Sequence, residues 1–198
     1  MIFLSYDIGI KRYFVSDIII YKSKDGSHMK EAIQTLLKSD KMAHAFEYLK
    51  QDEAHTIDQQ IELVQIASFS PFEEKRAIRF KELLTEAGLD PVMDEVHNVY
   101  AHIHGTGNGP TLYVSAHLDT VFPPETPLPV KREGTKIYAP GIGDDTRGLA
   151  EILTLARAIK ESGLKPVGDI IIGGNVGEEG LGDLRGMRHF FSKKRRQG

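Results

Sequence analysis

The chain has no cysteine among its 198 residues. Disulfides and thiolate metal sites are therefore excluded. A reducing compartment suits such a chain, and a cytoplasmic location is the expectation. Long apolar runs are missing too: no stretch approaches the roughly 20 residues that a membrane-spanning helix needs. The apolar patches Ile2-Phe3-Leu4 and Ile18-Ile19-Ile20 are interrupted by Asp7, Lys11, Arg12 and Asp17. A signal peptide would instead show a basic start and an unbroken apolar centre, so export is not expected. Neither sign of charge is in large excess. A net charge of -3 gives nucleic acid or an anionic membrane no electrostatic footing as a partner. Internal repeats are absent as well.

What is present is ordinary globular material, 40% hydrophobic and 27% charged, enough for one good-sized domain with a core. Residues 1–28, rich in Ile, Tyr and Phe, differ in texture and are expected to be a peripheral extension, with residues 29–198 forming the functional domain. From Met29 the pattern is helical, with Ala32, Leu36, Leu37, Met42, Phe46 and Leu49 near three-to-four spacing. A second helix should present Ile57, Ile61 and Val64. A third should start with Ser70 as N-cap and Pro71 at the first position, run through Ala77, Phe80, Leu83 and Leu84, and close at Gly88.

Strand-like pieces follow at Val92 to Glu95 and Val99 to Ile103. Thr111 to Ala116 and Asp169 to Val176 read as strands covered on both faces. Four prolines make Val121 to Pro129 an irregular loop, and Val130 to Tyr138 resembles a hairpin turning at Glu133-Gly134. An amphipathic helix after Asp145 ends near Gly163, and a short one spans Leu184 to Phe191. Helices alternating with strands predict an α/β fold, a three-layer α/β/α sandwich on a mixed, largely parallel sheet.

The chemistry is concentrated between Thr111 and Gly180. His117 and Asp119 sit two apart at a strand exit and face one side in extended backbone. A neutral imidazole ligates zinc well, and a nearby carboxylate fixes its tautomer; the plainer alternative is a shared polar loop. Asp144 and Asp145 precede a helix in a glycine-rich turn, so one can cap the helix while the other binds metal. Glu178 and Glu179, bracketed by Gly177 and Gly180, are either a solvated turn or a metal ligand beside a free base. One imidazole and five carboxylates converging at strand ends need a cation to neutralise them. His102 and His104 also share a strand face, where an exposed edge is the simpler reading.

In this order, Asn98-Val99, Ser115-Ala116-His117-Leu118-Asp119-Thr120-Val121-Phe122-Pro123, Gly141-Ile142-Gly143-Asp144-Asp145 and Gly177-Glu178-Glu179-Gly180 resemble the zinc exopeptidases and deacylases of the peptidase T, aminoacylase and glutamate carboxypeptidase type. The resemblance runs from about Ala45 to Phe191. It implies two Zn2+ ions, with His117 and Glu179 each binding one and Asp144 bridging them. It also implies that Asp119 orients His117, that Glu178 is the general base, and that the peptide bond between Asp144 and Asp145 is cis. The implied reaction is hydrolysis of an amide bond in a small peptide or N-acyl amino acid. Thr146-Arg147 departs from relatives that carry Lys near this point. Relatives place a further acidic ligand, a distal His and a lid used for dimerisation beyond the position of Gly198, and His189 does not replace that His. Weak metal binding and little turnover are therefore expected of these residues alone. The rival reading is a non-catalytic relic or partner-binding module on the same fold. A third is a nucleic-acid binder using the basic run Lys193-Lys194-Arg195-Arg196, which no interleaved aromatic supports.

Overall fold

A computed structural model describes residues 2–4, 27–107 and 109–196, the side chains of 2–4, 27–29 and 193–196 excepted. The apolar patch at Ile18–Ile20 lies outside the described residues, as do the side chains of the C-terminal basic run. The elements, in chain order, are β1 (Ile2–Leu4), α1 (Ser27–Leu37), α2 (Asp40–Gln51), α3 (Glu53–Val64), α4 (Glu74–Glu86), β2 (Val92–Met93), β3 (Val99–Ile103), β4 (Leu112–His117), the hairpin β5 (Lys131–Glu133) and β6 (Lys136–Tyr138), α5 (Thr146–Ser162), β7 (Ile170–Asn175) and α6 (Arg185–Arg196).

Five strands form one sheet in the order β1-β4-β7-β3-β2. The sheet is mixed, as expected, but not largely parallel. Only β4 and β7 pair parallel, while β1–β4, β3–β7 and β2–β3 are antiparallel. The reason is local: β2 and β3 are joined by a short turn, which forces antiparallel pairing, whereas β4 and β7 are separated by α5, a crossover long enough for a parallel pair.

Alternation along the central strands divides the apolar residues between two cores. Val99, Ala101, Ala116 and Ile172 face Phe80, Leu83 and Leu84 of α4 and Leu149, Leu153 and Ala156 of α5. Tyr113 and Ile171 point the other way, against Met187 and Phe190 of α6, and the Tyr113 and Phe190 rings stack at 4.5 Å. Both faces of the sheet are covered, which makes three layers and explains the unbroken apolar runs. The backbone of β1 lies on the outer edge of β4, with Phe3 opposite Tyr113.

The helical readings need three corrections. The helical pattern from Met29 is interrupted at Lys38 and Ser39, giving α1 and α2, and Leu36, Leu37 and Phe46 are exposed rather than core. The buried face of α3 is Thr56, Gln59, Gln60, Leu63 and Val64, with Ile57 and Ile61 only half-buried. That face turns toward a buried polar cluster. Asp52 accepts hydrogen bonds from Thr154 Oγ1 at 2.7 Å and Arg157 Nε at 3.0 Å, and Arg157 Nη1 reaches Gln59 Oε1 at 2.8 Å. Finally, Ser70 and Pro71 do not start α4. Their peptide bond is cis, and the helix begins at Glu74 after Glu73, because the Ser70 hydroxyl is engaged elsewhere by Arg185.

Candidate metal centre

Three chain segments meet at the C-terminal ends of β4 and β7, where open α/β sheets bind their ligands. The first is the exit of β4. The backbone N–H of His117 donates to Asp145 Oδ2 at 3.1 Å, and its Nδ1 lies 3.1 Å from the Asp119 carbonyl oxygen. Since a carbonyl only accepts, Nδ1 carries a proton there, and Nε2 points away from Asp119. Asp119 Oδ1 stands somewhat farther from Nδ1, at 3.6 Å.

The second segment is the turn before α5, which divides its two acids between different tasks. Asp145 is the N-cap, its Oδ1 accepting from the Gly148 N–H at 3.1 Å. Asp144 points the other way, with Oδ1 2.9 Å from His117 Nε2. The peptide bond joining them is cis.

The third segment is the loop after β7. The N–H groups of Glu178 and Glu179 donate to the two oxygens of Asp119, at 3.0 and 2.8 Å. Asp119, fully buried, thus links the β4 exit to this loop. Glu179 closes the cluster: one ligand atom from each of His117, Asp144 and Glu179 lies within 4.8 Å of the others. Among the described residues this is the group so arranged, an imidazole with two carboxylates, which is a zinc-type donor set.

The electrostatics fit a cation. Burial opposes a charge on His117, but the hydrogen bonds to Asp119 and Asp144, with the charges of Asp145 and Asp119, raise its pKa to about 9. Burial also works against ionising Asp119, yet the bonds from His117 and from the Glu179 and Glu178 N–H groups pull its pKa below the ordinary value. Burial raises Asp145, and burial together with the charge of Asp144 raises Glu179. Without a metal, the imidazolium is what balances these acids. Beside the cluster opens a cleft of about 760 Å³ lined by Glu178, Asn175 and the apolar side chains of Leu184, Met187 and Phe191.

Other supporting residues were not legible as site residues. Arg76, 1% exposed, donates to the Ile66 carbonyl at 2.7 Å and the Leu118 carbonyl at 2.9 Å. Burial lowers its pKa to about 10 against the opposing charge of Asp119. Ser68 Oγ donates to the same Leu118 carbonyl at 2.7 Å. A sequence signal for Arg76 existed: it shares the helical face of Phe80 and Leu83, where an arginine must have buried partners. Asn98 ties three elements together, accepting from the Val176 N–H at 3.1 Å and donating to Asp94 and to the Gly186 carbonyl. The other histidines weighed from the sequence lie elsewhere. His102 and His104 stack with ring centres 6.0 Å apart on β3 and just beyond, and His189 Nε2 is 3.1 Å from Glu95.

Residues 113–197 match the profile of Peptidase family M20/M25/M40. Over these residues the chain is similar to the M20 peptidases. Carboxypeptidase G2 of Pseudomonas sp. (strain RS-16) is 38% identical over 84 residues, which is 41% of this chain and 20% of that protein. Among solved structures, a tripeptidase from Staphylococcus aureus superposes with a TM-score of 0.53 at 31% identity, covering 64% of this chain and 37% of the other. Aminopeptidase PepT from Bacillus cereus gives a TM-score of 0.53 at 26% identity, covering 62% and 36%. The chain thus spans a fifth to just over a third of the length of these M20 relatives. Among the described residues, no helix is long and apolar enough to cross a membrane.

Proposed function

We propose that the chain carries the metal-binding end of a zinc-dependent M20 peptidase that hydrolyses amide bonds of small peptides or N-acyl amino acids. The observation behind this reading is the convergence of His117, Asp144 and Glu179 within 4.8 Å from three separate segments. Three protein donors is the number a catalytic zinc keeps. Asp144, the most exposed of the three, would offer its carboxylate to a second ion as well, and holding that ion would need further donors. The bound metal would supply Lewis-acid polarisation and a lowered pKa for attacking water.

The chain's own residues do the rest. His117 offers Nε2 because its Nδ1–H is held by the Asp119 carbonyl. Asp119 carries the charge that steadies the ring and anchors the Glu178-Glu179 backbone. Glu178 lines the cleft without belonging to the donor group, which suits a base that takes a proton from water and returns it to the leaving amine. The apolar cleft wall suits a substrate side chain.

Zinc content after dialysis tests this reading, together with hydrolysis of a panel of dipeptides, tripeptides and N-acyl amino acids with and without chelator. Weak but saturable zinc uptake by the wild type when dialysed against micromolar zinc, lost in His117→Asn and Glu179→Gln, is the expected result. A wild-type chain that retains no zinc from micromolar solution would sink it.

A further inference from the structure

The loop carrying Glu178 and Glu179 is held on two sides. On one side Asp119 accepts both backbone N–H groups. On the other stands Arg185, the first residue of α6. Gly177 has φ +64°, and a Cβ built there would collide with the Arg185 guanidinium, so the loop backbone lies directly against that group.

Arg185 is itself anchored. Its Nη1 donates to Ser70 Oγ at 2.9 Å, and its Nη2 pairs with Glu73 Oε2. Glu73 is fully buried, and its other oxygen has no partner among the described residues. A buried carboxylate with one cationic neighbour depends heavily on that neighbour. The segment supplying Ser70 and Glu73 also braces the β4 exit. Thr120 N–H donates to the Ser68 carbonyl at 2.9 Å, and Ser68 Oγ reaches the Leu118 carbonyl at 2.7 Å.

We propose that Arg185 is a positioning residue: by bonding Ser70 and Glu73 while packing on Gly177, it sets the distance between the Glu179-bearing loop and the His117-bearing strand. This rests on the metal-site reading above for its consequence, but not for its geometry. The brace joins the two donor segments without touching either donor side chain.

The test is amide hydrogen exchange on the metal-free chain, comparing wild type with Arg185→Gln, Arg185→Lys and Ser70→Ala. In Arg185→Gln the Glu178 and Glu179 amides should exchange about tenfold faster or more, with the central amides of β4 and β7 unchanged, since local opening and global unfolding are separable. Arg185→Lys should restore part of the protection, because one cation still meets Glu73. If Arg185→Gln does not fold, Ser70→Ala decides by the same criterion, with a smaller change at the same two amides. Wild-type exchange at Glu178 and Glu179, or acceleration spread evenly over the sheet, overturns the proposal. In parallel, zinc affinity in Arg185→Gln should fall about 10- to 100-fold, as for other groups that orient ligands, with an altered cobalt absorption spectrum. A wild-type chain that takes up no metal defeats the metal-site reading, while the exchange data still decide the brace.

Discussion

Zinc uptake by this chain should release a proton at neutral pH. In the metal-free state the His117 pKa is about 9, because hydrogen bonds to Asp119 and Asp144 and the charges of Asp145 and Asp119 outweigh the effect of burial. A metal needs the lone pair on Nε2, so that proton must leave first. Apparent zinc affinity should then rise about ninefold from pH 7 to 8 and about fivefold from pH 8 to 9, ~50-fold in all, equivalent to ~2.3 kcal/mol at ~1.36 kcal/mol per tenfold. A histidine at its ordinary value of 6.5 would instead give a nearly flat curve over that range.

Competition against a chromophoric chelator, with zinc buffered below hydroxide precipitation, measures the slope. Calorimetry in buffers of different ionisation enthalpy counts the proton directly. The stability of the metal-free chain follows the same group. A raised folded-state pKa contributes stability that is fully present below about 6.5 and is lost as pH rises through about 9. The metal-free chain should therefore melt at lower temperature at pH 10 than at pH 6.5, and saturating zinc should flatten that dependence. A pH-independent affinity with no proton release would refute the reasoning, because it would mean that the three acids around His117 do not hold its charge.

Two further expectations follow from particular contacts. Asp52→Ala leaves the buried Arg157 guanidinium without its carboxylate and should cost about 3 kcal/mol in urea unfolding, in line with other buried pairs broken on one side; a change below ~1 kcal/mol would show the pair to be solvated. Asp145→Ala removes the α5 cap and the acceptor of the His117 N–H, for about 1 kcal/mol of stability together with weaker zinc binding. Unaltered zinc affinity would show that this carboxylate serves the helix alone.

Much of the architecture could be read before any coordinates. The runs around Tyr113 and Ile171 announced strands covered on both faces, and the face of Ala77, Phe80 and Leu83 announced α4, because regular periodicity reports burial directly. Readings based on propensity at boundaries fared worse. Ser70-Pro71 has the composition of a helix start, but the Ser70 hydroxyl is taken by Arg185, a residue 115 positions away. Gln59 and Gln60 look like the solvent face of α3 until Arg157 and the Ile142 carbonyl are brought against them. The ladder showed a similar limit: a strand's composition does not record the direction of its neighbour.

The division at the site is sharper. The amino-acid order alone determined which residue types gather near strand ends: an imidazole two before an acid, two adjacent aspartates ahead of a helix, and two glutamates between glycines. Such patterns depend on local backbone geometry, which neighbouring residues set. Only the tertiary structure decided that Asp119 receives the Glu178 and Glu179 N–H groups, and that Arg76, Glu73 and Arg185 underpin the arrangement. Those outcomes depend on contacts between segments 40 to more than 100 residues apart, and distances of that kind are set by the packing of the whole sheet and its helices.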